Sequence, residues 1–222
     1  MIEYLKAVAD LLAEGLNLSS EVTQKQRRKK FLLDLLISYF CIARIVENGS
    51  DLLSLAGREP IKRIMAMTPE KRVDFTNRAN SKLQTQKLLL QTLDSRIADE
   101  GIMEMLDAKP KKRLKRLIGS REKGLLAVAS ALEIYFIFDG HPSRREIKAF
   151  GQELARFRYQ ASIISMVFFE RSQMIIDVRL AKKELRELEA SNEKLRSKID
   201  ELFTLDEQLR LVERAKKVAS SV

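Results

Sequence analysis

The sequence predicts an all-α protein, a helical bundle whose long C-terminal helix extends into a coiled coil, and three observations support this fold class. Eight Gly and four Pro in 222 residues are too few for the closely spaced turns of a β-sandwich or barrel. A hydrophobic content of 45% is enough to bury a core. Residues 143–202 contain no Pro and a single Gly. As a helix they would measure about 90 Å, against a diameter of about 45 Å for a compact domain of this mass. We therefore expect this helix to leave the bundle.

Apolar spacing and stop signals place the helices of the first hundred residues. An amphipathic helix over residues 2–14 is expected to end at Gly15. A second helix begins near the capping residues 17–20 and continues to Ala56. A short helix covers residues 61–67. Thr68 and Pro69 are a cap residue and a first-turn proline, and they start a long, rather polar helix that reaches residue 100.

The second half of the chain begins with a bend at residues 101–109, after which Pro110 opens a short helix. Residues 125–138 are the most apolar segment, predicted as a helix, with a buried strand as the less favoured alternative. A turn at residues 139–142 precedes Ser143, which forms a capping box with Glu146 and starts the long helix.

The long helix changes character along its length. Its apolar face is broad over residues 150–176, as expected in a bundle, and then narrows to a seam of two positions per heptad. We divide the chain accordingly into a bundle, residues 1–176, and a coiled-coil extension, residues 177–222, with a bend near 203–204. The candidate oligomerisation residues of the seam are Val178, Ala181, Leu185, Leu188, Asn192, Leu195, Ile199 and Leu202.

Four heptads of exposed apolar seam predict self-association or the docking of a helical partner. Asn192 occupies a position that tends to fix the register of parallel dimers. After Leu202 the apolar spacing shifts by three residues, and Thr204 with Glu207 reads as a second capping box. A hairpin in which the last helix folds back on the seam is therefore an alternative to the coiled-coil dimer.

The formal net charge of +10 predicts an affinity for polyanions, and residues 1–176 carry nine of these charges. Two clusters stand out. Residues 109–116 place a row of cations on one face of a short helix, which would contact phosphates without base specificity. A solvated basic helix, or one paired with acidic residues elsewhere in the protein, is the interpretation given more weight than phosphate contact, and an anionic membrane or acidic protein is a further alternative. The candidate polyanion-binding residues are Lys25, Arg27, Arg28, Lys29, Lys30, Lys109, Lys111, Lys112, Arg113, Lys115 and Arg116.

The composition argues against catalysis within a single chain. One His and one Cys cannot supply a zinc site, an iron–sulfur site, a disulfide or a Cys–His pair. His141 is expected in an exposed turn, and Cys41 is expected as a small buried hydrophobic residue. We predict no catalytic residue, no metal and no cofactor. The start of the chain lacks a signal-peptide pattern and the longest apolar runs are interrupted by charges, so a cytoplasmic protein is expected.

The function predicted first is a non-enzymatic scaffold or adaptor that self-associates, or docks a partner, through its C-terminal coiled coil. The alternative is a sequence-nonspecific nucleic-acid-binding protein that uses the basic surfaces around residues 25–30 and 109–116. A third class is an enzyme or toxin that is active only within a complex.

Overall fold

The computed structural model describes residues 2–16, 25–98, 102–103, 106–113, 167–170 and 173–221, most of which are helical. The helical fold class is confirmed in this coarse form. The helices are α1 (Ile2–Gly15), α2 (Lys25–Ala56), α3 (Pro60–Met65), α4 (Pro69–Ala98), α5 (Val178–Leu202) and α6 (Leu205–Ser220). The antiparallel strands β1 (Val167–Glu170) and β2 (Gln173–Ile176) precede α5. The predicted apolar segment 125–138, the turn with His141 and the capping residues 17–20 lie outside the described residues.

Local stop and start signals set the helix ends. Helix α1 ends at Gly15, and α2 ends at Ala56 before Gly57, whose φ of +68° is readily adopted only by glycine. Helix α4 begins at Pro69, as predicted. Residues 108–113 are also helical. Pro110 therefore lies in the first turn of that helix, where its missing N–H removes no helical hydrogen bond.

The prediction of one uninterrupted helix over residues 143–202 is wrong at residues 167–170 and 173–176. These residues form the antiparallel strands β1 and β2, in which Val167 is opposite Ile176 and Phe169 is opposite Met174. Aromatic and β-branched side chains dominate both strands, and such side chains favour extended backbone. The same apolar residues also fit the broad apolar face predicted for a helix. The part of that face at residues 150–166 lies outside the described residues.

Asp177 explains why α5 begins where it does. Its Oδ1 accepts hydrogen bonds from the backbone N–H groups of Arg179 and Leu180, at 3.1 and 3.0 Å. These are donors that a helix start leaves without an intrahelical partner, so Asp177 acts as the N-cap. The helix of the predicted coiled coil is thus an independent element of 25 residues.

The chain forms two compact units, each assembled from segments that are distant in sequence. The division into a bundle, residues 1–176, and a coiled-coil extension, residues 177–222, stays a prediction. The first unit contains the end of α2 from Asn48, α3, α4 as far as Lys87, strands β1 and β2, and α5 as far as Leu185. The second unit contains α1, the rest of α2, α4 from Leu88, α5 from Arg186, and α6.

In the first unit, polar groups tie α2 to α4. The Nδ2 of Asn48 donates to the carbonyl oxygen of Lys82 and to Oε1 of Gln86, both at 2.8 Å. Lys82 also forms an ion pair with Asp51. Asn48 and Gln86 are buried, so these hydrogen bonds satisfy amide groups that would otherwise be costly to remove from water.

In the second unit, α5 lies against both α1 and α2. Lys6 and Asp10 of α1 form ion pairs with Glu187 and Lys194 of α5, at 2.6 and 3.4 Å. The order of the pairs shows that α1 and α5 run in the same direction. On the other side, Tyr39 of α2 contacts residues 192–193 of α5.

Candidate docking site

The first basic cluster, residues 25–30, begins α2, and the structure separates its members. Arg27, Lys29 and Lys30 are exposed. Arg28 is instead bound within the protein. Its Nε donates to Glu207 Oε1 at 2.7 Å, and its Nη2 donates to the Leu202 carbonyl oxygen at 2.9 Å. The guanidinium also lies over the Phe203 ring, 4.8 Å from the ring centroid.

The bond from Arg28 holds the pKa of Glu207 at about 2, below its usual 4.5, and hydrogen bonds from the Thr204 backbone and side chain add to this effect. Thr204 and Glu207 form the predicted capping box: the Thr204 hydroxyl accepts from the Glu207 N–H, and the Thr204 N–H donates to Glu207 Oε2 at 2.9 Å. The charge of Arg28 therefore stabilises the turn between α5 and α6.

The second basic cluster is on the helical turn at residues 108–113. Lys109, Lys112 and Arg113 are exposed, and Lys111 is half-buried. Lys115 and Arg116 lie outside the described residues.

This turn is anchored on the end of α1. The Asp107 N–H donates to the Gly15 carbonyl oxygen at 3.2 Å. Pro110 lies so close that a Cβ added at Gly15 would be 2.6 Å from the proline Cβ, so no larger residue fits there. Buried Leu106 adds an apolar contact beside Gly15.

The predicted coiled-coil seam is packed against the protein's own helices. Asn192 Nδ2 donates to the Tyr39 carbonyl oxygen at 3.2 Å, and a Cβ at Gly49 would lie 3.1 Å from a methyl group of Leu185. Val178 and Leu202 are half-buried. The buried members are Ala181, Leu185, Leu188, Asn192, Leu195 and Ile199.

The chain therefore already covers most of the seam, and the exposed apolar surface that motivated the oligomerisation prediction is absent at its six buried positions. Self-association through the seam stays a prediction.

One side of α6, here called the Leu205 side, presents the apolar surface that the seam does not. Leu205 and Leu209 are 67% and 60% exposed, and Val212 on the same side is half-buried. The packed face of α6 is adjacent, about 90° around the helix axis, and its buried residues are Gln208, Leu211, Ala215 and Ala219. The shift in apolar spacing after Leu202 signalled this second face in the sequence. The contacts with α2 decide whether the seam of α5 or this face of α6 is covered. The spacing of apolar residues in the sequence does not reveal those contacts.

Buried Asp34 has partners of a structural kind. Asp34, 1% exposed, accepts from Arg96 at 3.2 Å, and its backbone carbonyl accepts from the Ser38 hydroxyl. Burial raises the pKa of the Cys41 thiol to about 11, which makes it a poor nucleophile at neutral pH. Within the described part of the chain, no cluster of three or more His, Cys, Asp or Glu could hold a metal ion. None of the helices searched there is long and apolar enough to span a membrane.

No protein-family model, no curated protein and no solved structure matches the chain.

Proposed function

We propose that the protein is a non-enzymatic helical adaptor that docks a protein partner on the Leu205 side of α6. The observation that carries this proposal is the exposure of Leu205 and Leu209, 67% and 60%, one turn apart on a helix whose adjacent face is packed. Covering a leucine side chain that is otherwise exposed contributes about 1.5–3 kcal/mol. Two such side chains at i and i+4 are the minimal pattern by which one helix recognises another.

Helix α6 is held at both ends, which favours a docking function. Arg28 bonds Glu207 near its start, and Arg44 donates to the Ala219 carbonyl oxygen near its end. A surface fixed in this way loses less conformational entropy on binding than a mobile segment.

The test is selection from a displayed library of amphipathic helical peptides on the immobilised full chain. We expect enriched peptides, and we expect Leu205→Gln with Leu209→Gln to abolish enrichment. The matched control is Val73→Gln with Leu88→Gln, which removes two exposed apolar side chains from α4, 58% and 43% exposed. Enrichment that survives in the α6 variant would refute the proposal.

A second candidate, sequence-nonspecific binding of nucleic acid, is favoured by the exposure of Lys109, Lys112 and Arg113 on an anchored helical turn. It predicts binding of duplex DNA or RNA in fluorescence anisotropy that weakens steeply with salt. Lys112→Glu with Arg113→Glu should abolish this binding. Charge reversal at exposed Lys71 and Arg78 of α4 is the control.

We also propose a cytoplasmic location, supported by the single buried Cys41, which fits a reducing compartment.

A further inference from the structure

Helices α2 and α6 lie side by side and run in the same direction. Arg28 bonds Glu207 and Arg44 bonds Ala219, and the sequence separations of the two pairs, 179 and 175, are nearly equal. Between these contacts, the Lys216 ammonium lies 6.0 Å from the centre of the Phe40 ring. The separation changes by four residues between the first and the last contact, so the three contacts define the register of the two helices to within about one turn.

The register identifies what lies along one side of the helix pair. On α2, Leu33 and Lys29 precede Phe40 by two and three turns and share its side; on α6, Leu209 and Leu205 precede Lys216 by the same intervals. By the separation of Phe40 and Lys216, Leu33 lies near the level of Leu209. By the separation of Arg28 and Glu207, Lys29 lies level with Gln208, within one helical turn of Leu205. We call this surface the α2–α6 strip: Lys29, Leu33 and Phe40 of α2, with Leu205, Leu209 and Lys216 of α6.

The apolar members of the strip are accessible. Leu33 and Phe40 are half-buried, and Leu205 and Leu209 are exposed. Val212, half-buried, lies between Leu209 and Lys216 on α6. The two leucines of α6 are thus part of a larger apolar surface to which α2 contributes.

Two cations of α2 lie near the ends of the strip: Lys29, which belongs to it, and Arg44, one turn beyond Phe40. At one end, Lys29 is exposed, and no carboxylate is within ion-pair distance of it among the described residues. At the other end, Arg44 bonds a carbonyl oxygen rather than a carboxylate. Lys216 is neutralised by Glu213 at 3.2 Å, and exposed Asp206 follows Leu205. Lys29 and Arg44 are fifteen residues apart, which corresponds to about 22 Å along the helix.

This charge distribution selects the occupant. A second copy of the chain, laid antiparallel on the strip, would bring Lys29 of each protomer against Arg44 of its partner, and like charges at a contact are unfavourable. A helix with acidic residues near both ends of its apolar face would instead pair with both cations. We propose that the strip binds an acidic amphipathic helix about four turns long. This inference rests on the proposed function and adds the chemistry of the partner.

The experiment uses a displayed library of 18-residue helices with a fixed apolar face, in which the two end positions flanking that face encode Glu, Gln or Lys. Selected on the immobilised full chain at low salt, clones with Glu at both ends should be enriched about tenfold over clones with Lys at both ends. Lys29→Glu should shift the preference at one end from Glu to Lys. Lys71→Glu, a charge reversal near the start of α4, should leave the preference unchanged.

The outcomes separate the two proposals. Enrichment that needs Leu205 and Leu209 but shows no preference for Glu, or a preference for Lys, overturns the acidic partner and leaves docking intact. Absence of leucine-dependent enrichment overturns docking itself. Leucine-dependent sedimentation with phosphatidylserine vesicles, or a leucine-dependent dimer in light scattering, without peptide enrichment would assign the strip to a membrane or to a second copy and would overturn both.

Discussion

Arg28 Nε lies 2.7 Å from Glu207 Oε1, and Nη2 of the same guanidinium donates to the last carbonyl of α5, that of Leu202. One side chain of α2 thereby binds the end of one helix and the first turn of the next. Arg28 was predicted as a polyanion-binding residue, but in the structure it holds α6 in place. The α2–α6 strip depends on this position of α6.

Replacing Arg28 should weaken the attachment of α6 and destabilise the protein. We expect Arg28→Ala to lower the free energy of unfolding by about 1–2 kcal/mol, because it removes a charge-assisted hydrogen bond, a bond to a helix-terminal carbonyl and a cation–π contact that are all partly exposed. Urea unfolding followed by circular dichroism measures the change. Arg27→Ala, at the exposed neighbouring position, should change stability by less than about 0.5 kcal/mol. Equal losses in the two variants would contradict a specific contribution from Arg28.

The same pair predicts how stability depends on pH. The pKa of Glu207 is about 2 in the folded protein against an ordinary 4.5. Because the folded pKa is the lower one, the stabilisation from the Glu207 carboxylate is complete above pH 4.5 and is lost as the pH falls toward 2. Wild type should therefore be more stable than Glu207→Gln near neutral pH, and the difference should shrink across that interval. A difference that stays constant in acid would refute this account.

Asn192 should behave as an intramolecular core residue. Its side chain is 2% exposed, its Nδ2 binds the Tyr39 carbonyl, and its Oδ1 accepts no hydrogen bond among the described residues. We expect Asn192→Leu to raise the free energy of unfolding by about 1 kcal/mol, since it removes a buried acceptor. The oligomer distribution in native mass spectrometry should stay unchanged. Asn192→Ala is the control for packing and should destabilise the protein. A change of oligomer with Asn192→Leu would instead support the coiled-coil dimer.

Cys41 should report the opening of the core. The thiol is 0% exposed with a pKa of about 11, so a thiol reagent at neutral pH should label the native protein only when α2 becomes exposed. Labelling should be slow in buffer and fast in denaturant. The control is Cys41→Ala combined with Ser95→Cys, which moves the thiol to an exposed position on α4 and should react at once. Rapid labelling of native Cys41 would contradict its burial.

Much of the fold could be predicted because the signals were local. Gly15, Gly57 and Pro69 act through their own backbone geometry, and the Thr204–Glu207 capping box acts across three residues. The strands at residues 167–170 and 173–176 were missed because their apolar residues suit helix and strand alike over so short a length. Asp177, a cap residue directly before the seam, was the available signal.

The candidate site was less predictable because it depends on pairing across the chain. Sequence spacing identified two apolar faces in the C-terminal helices, but α1 and α2 decide that the seam is covered and that Leu205 and Leu209 are not. Likewise, the density of cations at residues 25–30 is visible in the sequence. The hydrogen bond from Arg28 to Glu207 is not, because it joins residues 179 positions apart.

The contacts between α1 and α5 have a consequence for biosynthesis. Lys6 can form its ion pair only after Glu187, 181 positions later, has been synthesised. Arg28 likewise can form its hydrogen bonds only after the end of α5 has been synthesised. Chains rich in such distant contacts fold slowly, and a ribosome delivers the N-terminal helices well before their cover. During that interval the apolar side chains of α1 and α2 are candidates for chaperone binding. A chain that terminates before α5 would leave them permanently without that cover and should be degraded rather than accumulate.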